Sequence, residues 1–235
     1  MLLPFFYKED LYTVTGHIVF DENTSKHIIQ VLRMQKGQQI QITNGQGLLC
    51  TAELIDDNRK KCSAKIIQSG NIYHPAANIS IAISLIKNSS RFEWFLEKAT
   101  EIGVREIIPL ICERTEKITF RQDRLKSILV SAMLQSQQTW LPVLHAPTKF
   151  KALVTTSQQQ QKFIAHCINE TKRELTELNN RSLNSKIILI GPEGDFTKEE
   201  IDLAMQHHFS AVSLGNTRLR TETAGMVAAT LLCLA

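Results

Sequence analysis

The sequence predicts an α/β protein in two parts, a small, mostly β domain followed by a larger domain built on a parallel sheet. Three observations carry this. The composition changes near NIYHPAAN, residues 71–78. Before that point, short alternating or β-branched runs are separated by turn residues. After it, apolar strand-like runs alternate with amphipathic segments, the rhythm of βαβ units. With 235 residues, of which 43% are hydrophobic and 21% charged, the chain is long enough to bury a substantial core. The expected boundaries are 1–72 and 73–235.

In the first part, LYTVTGHIVF, QQIQITN, LLCTAELI and CSAKIIQ read as strands, with turns at Asn44-Gly45 and Asp56-Asp57-Asn58. One helix is expected at SKHIIQVLRM. In the second part, ISIAISLI (79–86) is nearly continuous in apolar residues, as a strand covered on both faces requires. Ser90 and Glu93 then have capping-box spacing. Phe92, Phe95, Leu96, Ala99 and Ile102 recur at helical spacing, and Gly103 stands where a C-terminal cap belongs. REIIPLI follows as a strand, and Leu125, Ile128, Leu129, Ala132 and Met133 mark another helix. KFIAHC (162–167), KIILIG (186–191) and AVSLG (211–215) are further strands, while SQQQQK (157–162) reads as a solvated loop.

The totals exclude several classes. No stretch approaches the ~20 apolar residues that cross a bilayer. MLLPFFYKEDLY lacks the basic flank of a signal peptide. Cys50, Cys62, Cys112, Cys167 and Cys233 are odd in number and form no C-x-x-C pair, which argues against a disulfide framework or a cysteine zinc site and fits a reducing cytoplasm. No metal is expected. A net charge of +4 permits a nucleic-acid partner without demanding one.

Ligands on open α/β sheets sit beyond the carboxyl ends of the strands. Three such ends stand out: HCINE after KFIA, GPEGDF after KIILI, and GNTRLRTET after AVSL. In IGPEGDF, Gly191 and Gly194 permit unusual backbone angles or close approach, and Pro192 stiffens the turn. Thr197 and Glu200 form a second capping box, with Phe196 and Ile201 as its hydrophobic staple. A well-made strand-to-helix turn accounts for these residues as well as a binding site does. No G-K-[ST] follows, so this is not a nucleotide phosphate loop. In LGNTRLRTETAG, Thr221 or Thr223 fits a helix cap, and Glu222 suits the positive end of a helix. Capping does not account for Arg218 and Arg220, whose forked donors suit phosphate or a developing oxyanion. His207 and His208 fit dipole partners or surface residues.

IGPEGDF followed by LGNTRLRTETAG resembles the paired C-terminal signature of the ribosomal RNA small subunit methyltransferase E family, of the SPOUT or trefoil-knot class. The likeness extends through LIKNSSRFEWFLEKATEIGVREIIPL (85–110) and HIIQVLRMQKGQQI (27–40), and so covers nearly the whole chain. It implies an N-terminal PUA-like β-barrel and a C-terminal α/β domain with a threaded segment. It also implies S-adenosylmethionine as cofactor and methylation of N3 of a specific uridine, U1498, in 16S rRNA of the small ribosomal subunit. Related knotted enzymes act on another base or a ribose 2′-hydroxyl, and a non-catalytic RNA-binding assembly factor is a further alternative.

By the resemblance, the cofactor is cradled by His166, Ile190, Gly191, Pro192, Glu193, Gly194, Leu214, Gly215, Asn216, Leu219 and Thr223. For the chemistry this implies, Arg220 is expected to supply the cation for charge released from N3, with Glu222 orienting it or assisting proton removal; the alternative role for Arg220 is to grip a substrate phosphate. Lys26, Arg33, Lys36, Lys87, Arg91, Gln135 and Arg218 fall to the RNA; the run Arg59–Lys61 reads equally as a solvated face. AGMVAATLLCLA (224–235) reads as a buried core helix, which the resemblance turns into the interface of a homodimer. Departures from the family pattern are Asp195 in place of a second glycine, Leu134 and Gln138 in place of a glutamate and an arginine, and an extreme N-terminus without the arginine often found there.

Overall fold

A computed structural model describes residues 3–12, 15–73, 77–116, 118–168 and 172–234. Thr13 and Val14 of the first expected strand, residues 74–76 of NIYHPAAN, and Asn169 and Glu170 of HCINE lie outside the described residues. The chain divides into two compact units, residues 1–74 with 133–141, and residues 75–132 with 142–235.

The first unit is a five-stranded sheet of β1 (Phe5–Tyr7), β2 (His17–Val19), β3 (Gln39–Thr43), β4 (Leu48–Asp56) and β5 (Ser63–Asn71), in the order β1-β3-β4-β5-β2. β1 runs parallel to β3, and the other pairs are antiparallel. Alternation along β4 turns Leu48, Cys50, Ala52 and Leu54 inward against Ile40 and Ile42 of β3. The helix expected at SKHIIQVLRM begins earlier and is irregular. Asp21 caps α1 (Glu22–Lys26) by accepting from the Thr24 N–H, and the chain then passes into a π-helical turn, His27–Val31. Arg33 ends it in a left-handed conformation, φ 54°.

Residues 133–141 fall in the second domain by sequence reading but belong to the first unit. The cause is a tight seam with the β3–β4 turn. The Gly47 N–H donates to the Thr139 carbonyl (2.9 Å) and the Leu141 N–H to the Gly45 carbonyl (2.9 Å). The Trp140 indole donates to the Ile72 carbonyl (2.9 Å) and lies against Gly47.

The second unit is a parallel sheet whose strands alternate with helices. In chain order these are β6 (Asn78–Ser84), α2 (Ser89–Ile102), β7 (Glu106–Ile111), α3 (Gln122–Gln135), β8 (Val143–Leu144), β9 (Thr148–Lys149), α4 (Phe150–Thr156) and β10 (Gln161–Ala165). There follow β11 (Arg173–Glu174), α5 (Leu175–Leu178), β12 (Ser185–Ile190), α6 (Lys198–Gln206), β13 (Ser210–Ser213) and α7 (Thr221–Cys233). The order is β11-β13-β10-β12-β6-β7-β8, with β9 also on β7. β6 and β12 are central and almost wholly buried, which is why their sequences are nearly continuous in apolar residues. One face packs Ala82, Ile187 and Leu189 against α4 and α6 through Phe150, Val154, Phe196, Ile201 and Ala204. On the other face, α7 packs on α2 and β6, with Gly225 against Phe95 and Ile83.

Local signals account for several helix ends. Gly103 closes α2 with φ 93°, and Thr197 and Glu200 form the expected reciprocal capping box of α6. At the start of α2 the cap lies two residues earlier than the Ser90 spacing suggests, because the Asn88 side chain accepts from the Ser90 N–H (3.0 Å).

Gly47 has φ 92°, and a Cβ there would lie 2.5 Å from Trp140 Cζ2. Backbone strain and overpacking each cost roughly 1–3 kcal/mol. Gly47→Ala is therefore expected to lower unfolding stability by about 2–4 kcal/mol in urea titration; a loss below about 0.5 kcal/mol would contradict this packing.

Candidate functional site

Because the sheet is parallel, β6, β10, β12 and β13 deliver their carboxyl ends to one edge. The residues just beyond the ends of β10, β12 and β13, with the first turn of α7, form two adjoining cavities of about 450 and 360 Å3. Ala165, Cys167, Arg218, Leu219 and Ala224 are common to both.

The turn after β12 forms much of the smaller cavity, with Ile190, Gly191, Pro192, Glu193 and Asp195 on its wall. At Gly191 space is tight: a Cβ would lie 3.1 Å from the Phe196 ring and 3.3 Å from the Phe196 nitrogen. The turn closes with the Asp195 N–H donating to the Pro192 carbonyl (2.9 Å). It is held from outside by ties that sequence spacing did not suggest. Arg114 Nη1 donates to the Gly194 carbonyl (2.7 Å), while the neighbouring Glu113 N–H donates to Glu200 Oε1 (2.9 Å) in α6, beyond the turn. The Lys87 N–H donates to Glu193 Oε1 (3.3 Å).

The turn after β13 forms the larger cavity with His166 and Lys172. Gly215 has φ 122° with nothing within 4 Å of a built Cβ, so here glycine serves the backbone angle and not the space. Ser213 Oγ accepts from the Gly215 N–H (3.1 Å), tightening the bend. Lys172 Nζ donates to the carbonyls of His166 (2.8 Å) and Ile168 (2.6 Å) and so fixes the end of β10.

The first turn of α7 joins the two bends. Neither Thr221 nor Thr223 caps the helix; the N-cap is Arg220, extended at φ −70° and ψ 157°, with no side-chain cap bond. Thr221, 5% exposed, instead donates its hydroxyl to the Gly191 carbonyl (3.0 Å). Sequence spacing did not suggest this bond, because its partners lie 30 residues apart. Arg218 and Arg220 are exposed at the smaller cavity.

Glu222 finds a different partner from the one expected. Among the described residues no hydrogen bond or ion pair joins it to Arg220. Its Oε1 lies 3.6 Å from Arg91 Nε of α2, and its buried Oε2 has no hydrogen-bond partner. The reason is helical geometry: Glu222 is one turn before Gly225, on the side of α7 that meets α2, whereas Thr221 and Ala224 line the smaller cavity. Arg91, expected to face RNA, is thereby engaged within the second unit.

The other expected residues are placed as follows. Leu214, Gly215, Asn216 and Leu219 line the larger cavity with His166. Gly194 and Thr223 line neither, Gly194 serving instead as the carbonyl that Arg114 grips. Lys87 is exposed but paired with Glu116 at 2.8 Å. In the first unit, Lys26 pairs with Glu22 (2.7 Å), while Arg33, Lys36 and the run Arg59–Lys61 are exposed. Gln135 ends α3, within that unit's 133–141 segment.

A family model described as an RNA methyltransferase domain matches residues 74–233, and one described as an RNA methyltransferase PUA domain matches residues 20–67. The ribosomal RNA small subunit methyltransferase E of a Synechocystis species is 31% identical over 210 residues, covering 86% of this chain and 68% of that protein. A probable rRNA methyltransferase from Porphyromonas gingivalis superposes with a TM-score of 0.90 at 33% identity, over 98% of both chains. The ribosomal RNA small subunit methyltransferase E of Neisseria gonorrhoeae, solved bound to S-adenosyl methionine, superposes with a TM-score of 0.86 at 28% identity, over 97% of this chain and 96% of that one.

Removing the Thr221 hydroxyl leaves the Gly191 carbonyl without its partner in a buried setting, a loss of about 1–3 kcal/mol. Thr221→Val is expected to lower unfolding stability by that amount in chemical denaturation, and Thr221→Ser to restore most of it. Equal stability of all three proteins would show that the bond contributes nothing.

Proposed function

The chain belongs to the ribosomal RNA small subunit methyltransferase E family, and from this premise we propose that it methylates N3 of a specific uridine in small-subunit ribosomal RNA, using S-adenosylmethionine. The observation that carries the reading is the meeting of the 190–195 and 214–220 turns around adjoining cavities, with two exposed arginines at the mouth.

The residues present fit the cofactor. Organic ligands occupy sites of roughly 300–1,000 Å3, the range of both cavities. Small residues (Ala165, Gly191, Gly215 and Ala224) leave backbone groups open to an adenine or ribose. When bound, S-adenosylmethionine supplies a methyl group already made electrophilic by its sulfonium.

The protein's work is then to hold the base in line and favour loss of its N3 proton. The negative charge left on the uracil spreads onto the flanking carbonyl oxygens. Arg220 directs a guanidinium at that charge, a contact that strengthens as the transition state forms. Glu222, beside Arg91, holds the first turn of α7 and with it the position of Arg220. Arg218 grips a neighbouring phosphate. In the first unit, Lys26, Arg33 and Lys36 supply further phosphate contacts, which position the RNA without reading its sequence. Binding by such contacts weakens as salt is raised. The enzyme works as a homodimer in this reading, supported by the partly exposed Val227 and Leu231 and the exposed Leu234 of the C-terminal segment and by Trp94 of α2.

Mass spectrometry of rRNA fragments incubated with protein and cofactor tests the reaction. One added methyl at N3 of a single uridine is expected. A methyl on ribose or another base would redirect the assignment, and no incorporation would favour a non-catalytic role. Arg220→Ala is expected to lower kcat by roughly 100–1,000-fold with little change in cofactor affinity.

Cysteine labelling provides a second check. Cys167 is exposed and lines both cavities. Burial pushes the Cys112 thiol well above its ordinary range and the Cys233 thiol up to about 12. Maleimide should label Cys167 first, and saturating S-adenosylmethionine should slow that labelling at least tenfold. Undiminished labelling in the presence of cofactor would count against this binding site.

A further inference from the structure

We propose that Asp195 is a positioning residue for the cofactor, bolting together the neighbouring loops after β10 and β12, which both line its cavity. The inference rests on the cofactor reading above and adds a residue to which that reading gives no role.

Asp195 occupies the left-handed region at φ 62° without being glycine. Few residue types tolerate that conformation, and Asp is among them because its short side chain bonds locally. Each of its carboxylate oxygens has an amide donor. Oδ1 accepts from the Phe196 N–H (2.8 Å), which fastens the turn to its own helix. Oδ2 accepts from the Cys167 N–H (2.7 Å), which crosses from the end of β12 to the end of β10. Asp195 and Cys167 both line the smaller cavity, and Cys167 also lines the larger.

The other ties on the 190–195 turn do not reach that wall. Arg114 and the Lys87 amide hold Gly194 and Glu193 from the loops after β7 and β6. On the far side, Lys172 holds segment 166–168 by the carbonyls of His166 and Ile168. Asp195 holds the same segment by its N–H. With both ends fastened, the cavity wall is preorganised, and ordering it on binding costs less.

A carboxylate is required because two donors face two separate oxygens. Asparagine supplies one acceptor and turns an N–H toward the other donor. Glycine relieves the backbone strain but supplies no acceptor, so it separates the two effects.

The test compares wild type with Asp195→Gly, Asp195→Ala and Asp195→Asn by two measurements. In cofactor-free protein, hydrogen exchange of the Cys167 amide should accelerate at least tenfold in the Gly and Ala variants, with Asn intermediate. By calorimetry, the Kd for S-adenosylmethionine should rise at least tenfold in Gly and Ala and less in Asn, with the KM for RNA within twofold of wild type. The glycine variant suits the backbone angle and keeps the test meaningful if alanine impairs folding. Wild-type cofactor binding together with unchanged exchange and affinity in Asp195→Gly overturns the inference alone. A wild-type protein that binds no S-adenosylmethionine overturns the cofactor reading, and the role of Asp195 falls with it.

Discussion

The bond from the Thr221 hydroxyl to the Gly191 carbonyl is the interaction on which the site depends. It ties the first turn of α7 to the bend that leaves β12. Without it, the two glycine-bearing turns are separate loop ends. With it, Arg220 is set immediately before a fixed helix start, and Thr221 and Ala224 become a wall of the smaller cavity. A neutral hydrogen bond contributes only about a kilocalorie of stability, so its importance lies in registering one turn against another.

That registration is possible because the sheet has already done the coarse placement. β6, β10, β12 and β13 are parallel, so their carboxyl ends meet at one edge, and the apolar packing of α4, α6, α2 and α7 holds them there. Polar ties then refine the loops. Arg114 and the Lys87 amide brace the 190–195 turn from outside, while Asp195 and Lys172 fasten segment 166–168. Burial determines where the loops emerge, and hydrogen bonds determine their shape, the arrangement expected of a binding site carried on a rigid parallel sheet.

Much of this was legible in the chain because its causes are local. The parallel strands announced themselves by continuous apolar runs, Gly103 by its place after a helical pattern, and the start of α6 by Thr197 and Glu200. The two glycine turns were legible for the same reason. The pairings across the fold were not. Arg91 and Glu222 lie 131 positions apart, and only the packing of α2 on α7 brings them together. Arg114 sits 80 residues from the carbonyl it grips, and Trp140 68 from its own acceptor. The same distance explains why the grouping of residues 133–141 with the first unit was not legible: nothing in SAMLQSQQTWLP itself announces the β3–β4 turn as its partner. Asp195 was visible as a departure from the family pattern, but its reason, the Cys167 amide, was visible only in the fold.

A crystal structure of the protein grown with S-adenosylmethionine tests the central claim most directly. The account predicts the cofactor lodged between the 190–195 and 214–219 turns, contacting backbone groups of both, with its methyl group directed toward Arg220. Cofactor density away from either turn, for instance in the separate cavity between Leu85, Phe92 and Arg121, would contradict it.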